Sequence, residues 1–355
     1  MIYAVIMAGG RGTRFWPIST PQRPKQLLTI FERRTMVEVT QQRVDPLIPL
    51  LQHRIVTIVE QVPMIQKQVP SLDDSNFIIE PTSKNTAPCI GLAAVRLMKQ
   101  DPDALMVVLP ADHIIDDEEK FQGALSRAIS IVDERDAIVT IGIKPVRPET
   151  GYGYIQYQSE EVEPGVHRVV TFAEKPNRDT AERFLQSGEF LWNSGIFVWS
   201  ARRIVSEIEE HLPELYAALM EIMNAIGTDS EEERVRRAYQ SIKPISIDYG
   251  VMERTRDAYV IVGDFNWSDI GSWDEFYRSS EKDSQGNALR GQVFTLDTQD
   301  SFIISETDKP VAVIGMDSVI VIQTDEGLLI CPRDRDQDVR EIVEKIHRSS
   351  TGGSK

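Results

Sequence analysis

Met7-Ala8-Gly9-Gly10-Arg11-Gly12-Thr13-Arg14-Phe15-Trp16-Pro17, followed by Pro24-Lys25-Gln26, decides how this chain is read. The apolar run Ile2-Tyr3-Ala4-Val5-Ile6 comes directly before it, which reads as a buried first strand feeding a glycine-rich loop. Glycine lets a backbone approach a ligand closely, and several N–H groups can then converge on one anion. Arg11, Arg14 and Lys25 add positive charge. A polyphosphate fits that description. No Gly-Lys-Ser/Thr is present, so this is not a Walker A loop. A dinucleotide fingerprint counted from Gly10 would need its third glycine where Phe15 stands. A tight turn whose glycines serve only packing is the simpler alternative, and the surrounding cations argue against it.

Composition narrows the class. The 355 residues are 41% hydrophobic and 26% charged, ordinary for a globular enzyme of one large and one small domain, or two medium ones. No apolar run approaches the roughly 20 residues of a membrane helix. The first residues carry no basic region and no small-residue cleavage site, so no signal peptide and a cytoplasmic location are expected. Net charge is −16, and basic residues occur at most in pairs such as Arg202-Arg203, which disfavours nucleic acid as a partner. An anionic substrate must then be captured by a local positive pocket. Cys89 and Cys331 show no metal spacing and read as small buried apolar residues.

Working outward, short apolar runs alternate with helical patterns. Strands are expected at Ile2–Met7, Ile55–Val59, Phe77–Ile79, Leu105–Leu109 and Ala137–Ile143, and helices at Asn85–Met98 and Asp116–Val132. The second helix opens on a capping-box pattern, Asp116-x-x-Glu119. This alternation argues for an α/β fold, a Rossmann-like, mainly parallel sheet covered on both faces. Further strands are expected at 150–154, Val169–Ala173 and Ala258–Val262, with helices at about Ala201–Ile226, restarted at Pro213, and Glu231–Gln240. Ser284-Gln285-Gly286-Asn287 is a turn-rich break, dividing a domain of residues 1–285 from one of residues 286–355. Beyond it, short β runs at 292–296, 311–314, 319–323 and 327–331 suggest a small β-coil or sandwich. A helix at Asp338–Ile346 and a disordered tail follow.

Asp112 follows the strand Leu105–Leu109 through Pro110-Ala111. Ligands of open α/β sheets bind beyond the carboxyl ends of strands. Alone, Asp112 would read as a helix cap. Beside a triphosphate loop it reads as a carboxylate for Mg²⁺, which takes one or two carboxylates plus phosphate oxygens. Asp269, in Asn266-Trp267-Ser268-Asp269-Ile270-Gly271-Ser272-Trp273, is the candidate second carboxylate, with a surface-turn aspartate as the alternative. His113 is read as structural. Glu174-Lys175-Pro176 ends a strand with a possible hydroxyl acceptor and a possible phosphate cation. Trp192-Asn193-Ser194-Gly195 supplies an amide before a glycine.

Together these motifs resemble the nucleotide-sugar pyrophosphorylase family over roughly residues 1–285. Phe15-Trp16-Pro17, Pro24-Lys25-Gln26, Glu80-Pro81 with Asn85-Thr86-Ala87-Pro88, Phe172-x-Glu174-Lys175-Pro176, Trp192-Asn193-Ser194-Gly195 and Ile247-Asp248-Tyr249 resemble its mannose/GTP branch. The resemblance implies GMP transfer from GTP to mannose 1-phosphate with Mg²⁺. It also implies a left-handed β-helix-like tail and a homodimer. Ala8, Gly9, Gly10, Arg11, Gly12 and Thr13 would then wrap GTP, and Arg14 and Lys25 would contact its phosphates. Glu80, Asn85 and Thr86 would lie near the guanosine. Gly153, Glu174, Lys175, Asn193 and Asp248 would hold mannose 1-phosphate, and Asp112 and Asp269 the metal. Bifunctional members continue into an isomerase domain; this chain lacks a His-rich β-barrel pattern, so no phosphomannose isomerase activity is expected.

Overall fold

The computed structural model describes residues 1–10, 12–20, 23–29 and 34–352, without the side chains of Thr13, His347 and residues 349–352. Two compact units divide it: Met1–Gly9 with Val37–Trp267, and Gly10–Met36 with Ser268–Lys355. The division falls inside the glycine-rich loop.

The larger unit is built on a nine-stranded sheet. Its strands are β1 (Ile2–Met7), β2 (His53–Ile58), β3 (Phe77–Glu80), β4 (Leu105–Pro110), β5 (Ile138–Ile143), β6 (Tyr154–Glu163), β7 (Val166–Ala173), β8 (Phe190–Ser200) and β9 (Ala258–Gly263). The order is β3-β2-β1-β4-β8-β5-β9-β7-β6. The first four run parallel, as do β5 and β9. β8 enters antiparallel between β4 and β5, and β6 and β7 add an antiparallel edge. Tyr3 and Val5 face one side of the sheet, Ala4 and Ile6 the other, and all four are buried. Burial on both faces explains the near-continuous apolar runs.

Helices cover both faces. Those of this unit are α1 (Met36–Val44), α2 (Val62–Gln68), α3 (Thr86–Gln100), α4 (Glu118–Arg135), α5 (Arg178–Ser187), α6 (Ala201–His211), α7 (Pro213–Ala225) and α8 (Glu231–Ser241). α3, α6, α7 and α8 pack on one another and share a core with Tyr3, Val5, Val108 and Trp199. α4 packs on β4, β5, β8 and β9, and its Gln122 donates to the carbonyl of Arg43 on α1. Pro213 restarts the helical run where the sequence placed it. The cap of α4 differs from the expected Asp116: Asp117 accepts from the Lys120 amide, so the helix begins one residue later. The strand expected from Thr150 begins only at Tyr154, because the Glu149 carboxylate takes the amides of Thr150 and Gly151 and folds them into a turn.

The smaller unit holds α9 (Trp273–Ser279) and a coil of short strands: β10 (Ala288–Arg290), β11 (Val293–Leu296), β12 (Phe302–Ser305), β13 (Val311–Ile314), β14 (Val319–Thr324) and β15 (Gly327–Pro332). β10-β12-β14 stack in parallel on one side and β11-β13 on another, and β15 closes the first sheet antiparallel. Ile303, Val313, Val319 and Val321 fill the space between. Two of these strands, β10 and β12, were not expected from sequence. The final helix, α10 (Val339–Gly352), extends through part of the segment expected to be disordered. Cys331 is half-buried, where full burial was expected. No described helix is long and apolar enough to cross a membrane.

Candidate active site

Parallel β1 and β4 are neighbours, with Met7 opposite Pro110, so Ala8-Gly9 and Ala111-Asp112 leave the same edge of the sheet. Backbone bonds fix both exits. The Ala8 amide donates to Val56, and the Ala111 amide donates to Met7 at 3.1 Å. Asp112 is half-buried at that edge. Its neighbour His113 is fixed by Trp267, whose indole N–H donates to Nδ1 at 3.1 Å, in keeping with a structural role.

Antiparallel β8 brings Asn193 to the same edge, opposite Gly142 of β5. Here all five expected sugar-phosphate residues converge. The Asn193 amide nitrogen donates to Asp248 Oδ1 at 2.8 Å, and its Oδ1 accepts from the Gly195 amide at 3.0 Å. The Asn193 backbone amide donates to the Gly153 carbonyl at 2.8 Å. A Cβ on Gly153 would lie 2.5 Å from Glu174 Oε2, so a side chain here would displace the Glu174 carboxylate. Lys175, in the left-handed region at φ 46°, pairs its ammonium with Glu174. Burial, then the charge of Glu174, raises the Asp248 carboxyl to about 6, and the Asn193 hydrogen bond opposes the shift. A Cβ on Gly195 would stand 3.5 Å from Pro110, so the network reaches the strand end that leads to Asp112.

The residues expected near the guanosine, Glu80, Asn85 and Thr86, occupy the end of β3 and the start of α3. Asn85 caps α3 from a glycine-like conformation, φ 75° and ψ −174°, a backbone state that costs on the order of 1–3 kcal/mol. Thr86 Oγ1 accepts from the Ile247 amide at 2.8 Å, and the Ala87 amide donates to the Ile245 carbonyl. One clamp therefore ties Asn85-Thr86 to the segment that carries Asp248. Glu80 is only 1% exposed. The Tyr239 hydroxyl donates to its Oε1 at 3.1 Å, and its Oε2 sits against Gly9, 3.3 Å from where a Cβ would be. Burial pushes its carboxyl up to about 7, against hydrogen bonds from Tyr239 and Cys89.

In the smaller unit, Gly12 adopts φ 60° and lies so close to Lys25 that a Cβ would meet its backbone nitrogen at 2.6 Å. Lys25 is 8% exposed; its ammonium donates to the Asp269 carbonyl and lies 5.7 Å from the Phe15 ring centroid. Two residues singled out separately in sequence thus meet, through the backbone of Asp269. Arg14 is exposed on the turn Thr13–Phe15. Arg11 and the side chain of Thr13 lie outside the described residues. Among the described residues, no three His, Cys, Asp or Glu side chains are grouped to hold a metal. The hard carboxylate oxygens of Asp112 suit a cation that arrives with phosphate oxygens.

The sequence matches the nucleotidyl transferase family over residues 3–286. The chain belongs to that family. Residues 291–346 match a second family, the MannoseP isomerase/GMP-like beta-helix domain. A Klebsiella pneumoniae mannose-1-phosphate guanylyltransferase is 37% identical over 98% of this chain and 74% of its own length. An Escherichia coli protein of the same name is 38% identical with the same coverage. A Thermus thermophilus structure, described as a mannose-1-phosphate geranyltransferase, aligns with TM-score 0.86 at 32% identity, covering 98% of this chain and 99% of that one. Sequence reasoning missed Tyr239 and Ile245, which support Glu80 and the start of α3 from a distance.

Proposed function

We propose that the chain transfers GMP from GTP to α-D-mannose 1-phosphate, releasing pyrophosphate and forming GDP-mannose. The observation that carries this reading is the single network formed by Gly153, Glu174, Lys175, Asn193 and Asp248. It combines hydroxyl acceptors, an amide and a cation, as a sugar phosphate requires. The guanylyltransferase names of the relatives support the same substrate pair. A mannose 1-phosphate oxygen attacks the α-phosphorus in line, and the bond to the β-phosphate bridging oxygen breaks. The nucleophile needs no general base, since a phosphate monoester's second pKa is about 6. Two anions must be brought together, so positioning and positive charge dominate the chemistry. Lys175 would orient the sugar phosphate, and Arg14 and Lys25 would take charge on the triphosphate. Ala8 to Thr13 would wrap the phosphates, with Glu80, Asn85 and Thr86 toward the base. Asp112 and Asp269 would hold Mg²⁺, which supplies charge neutralisation when bound.

Pyrophosphate release tests this directly. Turnover with GTP, mannose 1-phosphate and Mg²⁺ should far exceed that with ATP, UTP or glucose 1-phosphate. Equal or better turnover with another pair would replace the reading.

Residues 1–285 are assigned to catalysis and 286–355 to a small β domain; the two family matches, meeting between 286 and 291, support that division. A homodimer in the cytoplasm is the expected form. Phe294 and Ile314, 64% and 66% exposed, lie with Leu296 and Ala312 on one outward face of paired β11 and β13, and this apolar ladder supports self-association. Light scattering should report a dimer that Phe294→Asp converts to monomer; a monomeric parent, or an unaffected dimer, would remove this face from the account.

A further inference from the structure

A loop that binds an anion through its N–H groups must turn its carbonyls away and give them other donors. Four carbonyls of the glycine-rich segment are satisfied in this way. Gly10 accepts from Gln26 Nε2 at 3.0 Å and Gly12 from Ser19 Oγ at 2.5 Å. Trp16 accepts from the indole N–H of Trp273 at 3.3 Å, and Pro17 from Thr324 Oγ1 at 3.3 Å. The first two donors are local. The last two come from α9 and from β14 of the coil, and Thr324 lies 307 residues along the chain from its partner.

Apolar contacts follow the same route. Phe15 meets Trp273 edge-to-face at 5.1 Å, and Trp273 in turn meets Phe302 of β12 at 6.0 Å. Gly327, at the start of β15, lies against the Trp16 ring, where a Cβ would stand 2.7 Å from Cζ2. Arg23 pairs with Glu306 at 2.8 Å, and α10 packs on the turn Thr13–Phe15.

The anchor of Lys25 is built from the same parts. Its ammonium donates to the Asp269 carbonyl. The turn that presents this carbonyl holds Ile270 at φ 38°, rare for a β-branched residue. The Gly271 amide donates to Glu275 Oε2, and Ser272 caps α9. α9 is fixed from the coil's far end, where Arg333 pairs with Asp274 at 2.8 Å and Asp336 accepts from the Asp274 amide at 2.8 Å.

We propose that the C-terminal coil is part of the phosphate-gripping machinery, with Trp273 the positioning residue that sets the glycine-rich loop and Lys25 for the triphosphate. This rests on the reading of that loop as the GTP phosphate site. Two variants of the full chain test it. Trp273→Phe keeps an aromatic ring against Phe15 and removes the N–H to Trp16. Gly327→Ala pushes on Trp16 from the coil and leaves every loop residue unchanged in identity. In each, kcat/KM for GTP should fall about three- to tenfold, the worth of roughly one hydrogen bond, while KM for mannose 1-phosphate stays within about twofold. Unchanged GTP kinetics in Gly327→Ala, or an equal rise of both KM values, would overturn the proposal. Lys25→Ala separates the two layers. If it turns over normally, the phosphate reading itself fails. If it is inactive while both remote variants handle GTP normally, only the positioning role fails.

Discussion

The proposed sugar-phosphate site and the proposed phosphate loop are held by different means. In the first, the side-chain bonds run mainly between side chains: Asn193 donates to Asp248, and Lys175 pairs with Glu174. In the loop, side chains hold backbone carbonyls, and glycine provides close approach where Gly12 meets Lys25. On the proposed reading, the difference follows from the guests. A sugar offers hydroxyls in fixed directions, so the protein must fix the directions of its own polar groups. A triphosphate offers diffuse negative charge, which backbone amides and cations meet without directional side chains. One region is specific through geometry, and the other grips through charge.

The largest expected effect breaks the charge side of this comparison. Lys25→Ala should lower kcat by at least about 10²–10³, the usual loss when one electrostatic donor is removed from such a site. Steady-state pyrophosphate release measures it, and near-normal turnover would take Lys25 out of the chemistry.

Stability against pH sharpens the comparison at the junction of β3 with Gly9. The buried Glu80 carboxyl is raised from 4.5 to about 7, so the fold favours its protonated form. That contribution is fully present below the ordinary carboxylate range and is lost as pH climbs through about 7. Glu80→Gln removes the titration. Relative to the parent, it should gain stability between pH 5 and pH 8, on the order of 2 kcal/mol by urea denaturation. A gap that does not change with pH would contradict the assignment.

The smallest effect concerns Tyr239, which reaches Glu80 from α8. Tyr239→Phe should cost about 1 kcal/mol of stability and raise KM for GTP a few-fold, leaving KM for mannose 1-phosphate alone. No change in the GTP constant would make Tyr239 a packing residue only.

The positions of the loop, Asp112 and Glu174-Lys175 at strand ends were legible because each follows an apolar run. The strand-end register that gathers them, Met7 with Pro110 and Gly142 with Asn193, follows from an α/β sheet once β8 is inserted antiparallel. That insertion was not legible, since Phe190–Ser200 has an apolar run that a parallel strand would share. Tyr239, and the bond from Trp273 to Trp16, were hidden for another reason. Their partners are far away in sequence, Glu80 and Trp16, and no local spacing encodes a long-range hydrogen bond. β10 and β12 escaped because the first is three residues long and the second is buried throughout, so neither alternates. The cap of α4 was misplaced by one residue because Asp116 and Asp117 are chemically equivalent caps until a partner amide selects one.

The measurement that bears most directly on the division between a geometric pocket and a charged grip is the pair of KM values in Gly153→Ala. Its Cβ would stand 2.5 Å from Glu174 Oε2. Making room for it would move the Glu174 carboxylate out of the site, so KM for mannose 1-phosphate should rise about tenfold, with KM for GTP within about twofold. A rise in the GTP constant alone, or an equal rise in both, would contradict the account.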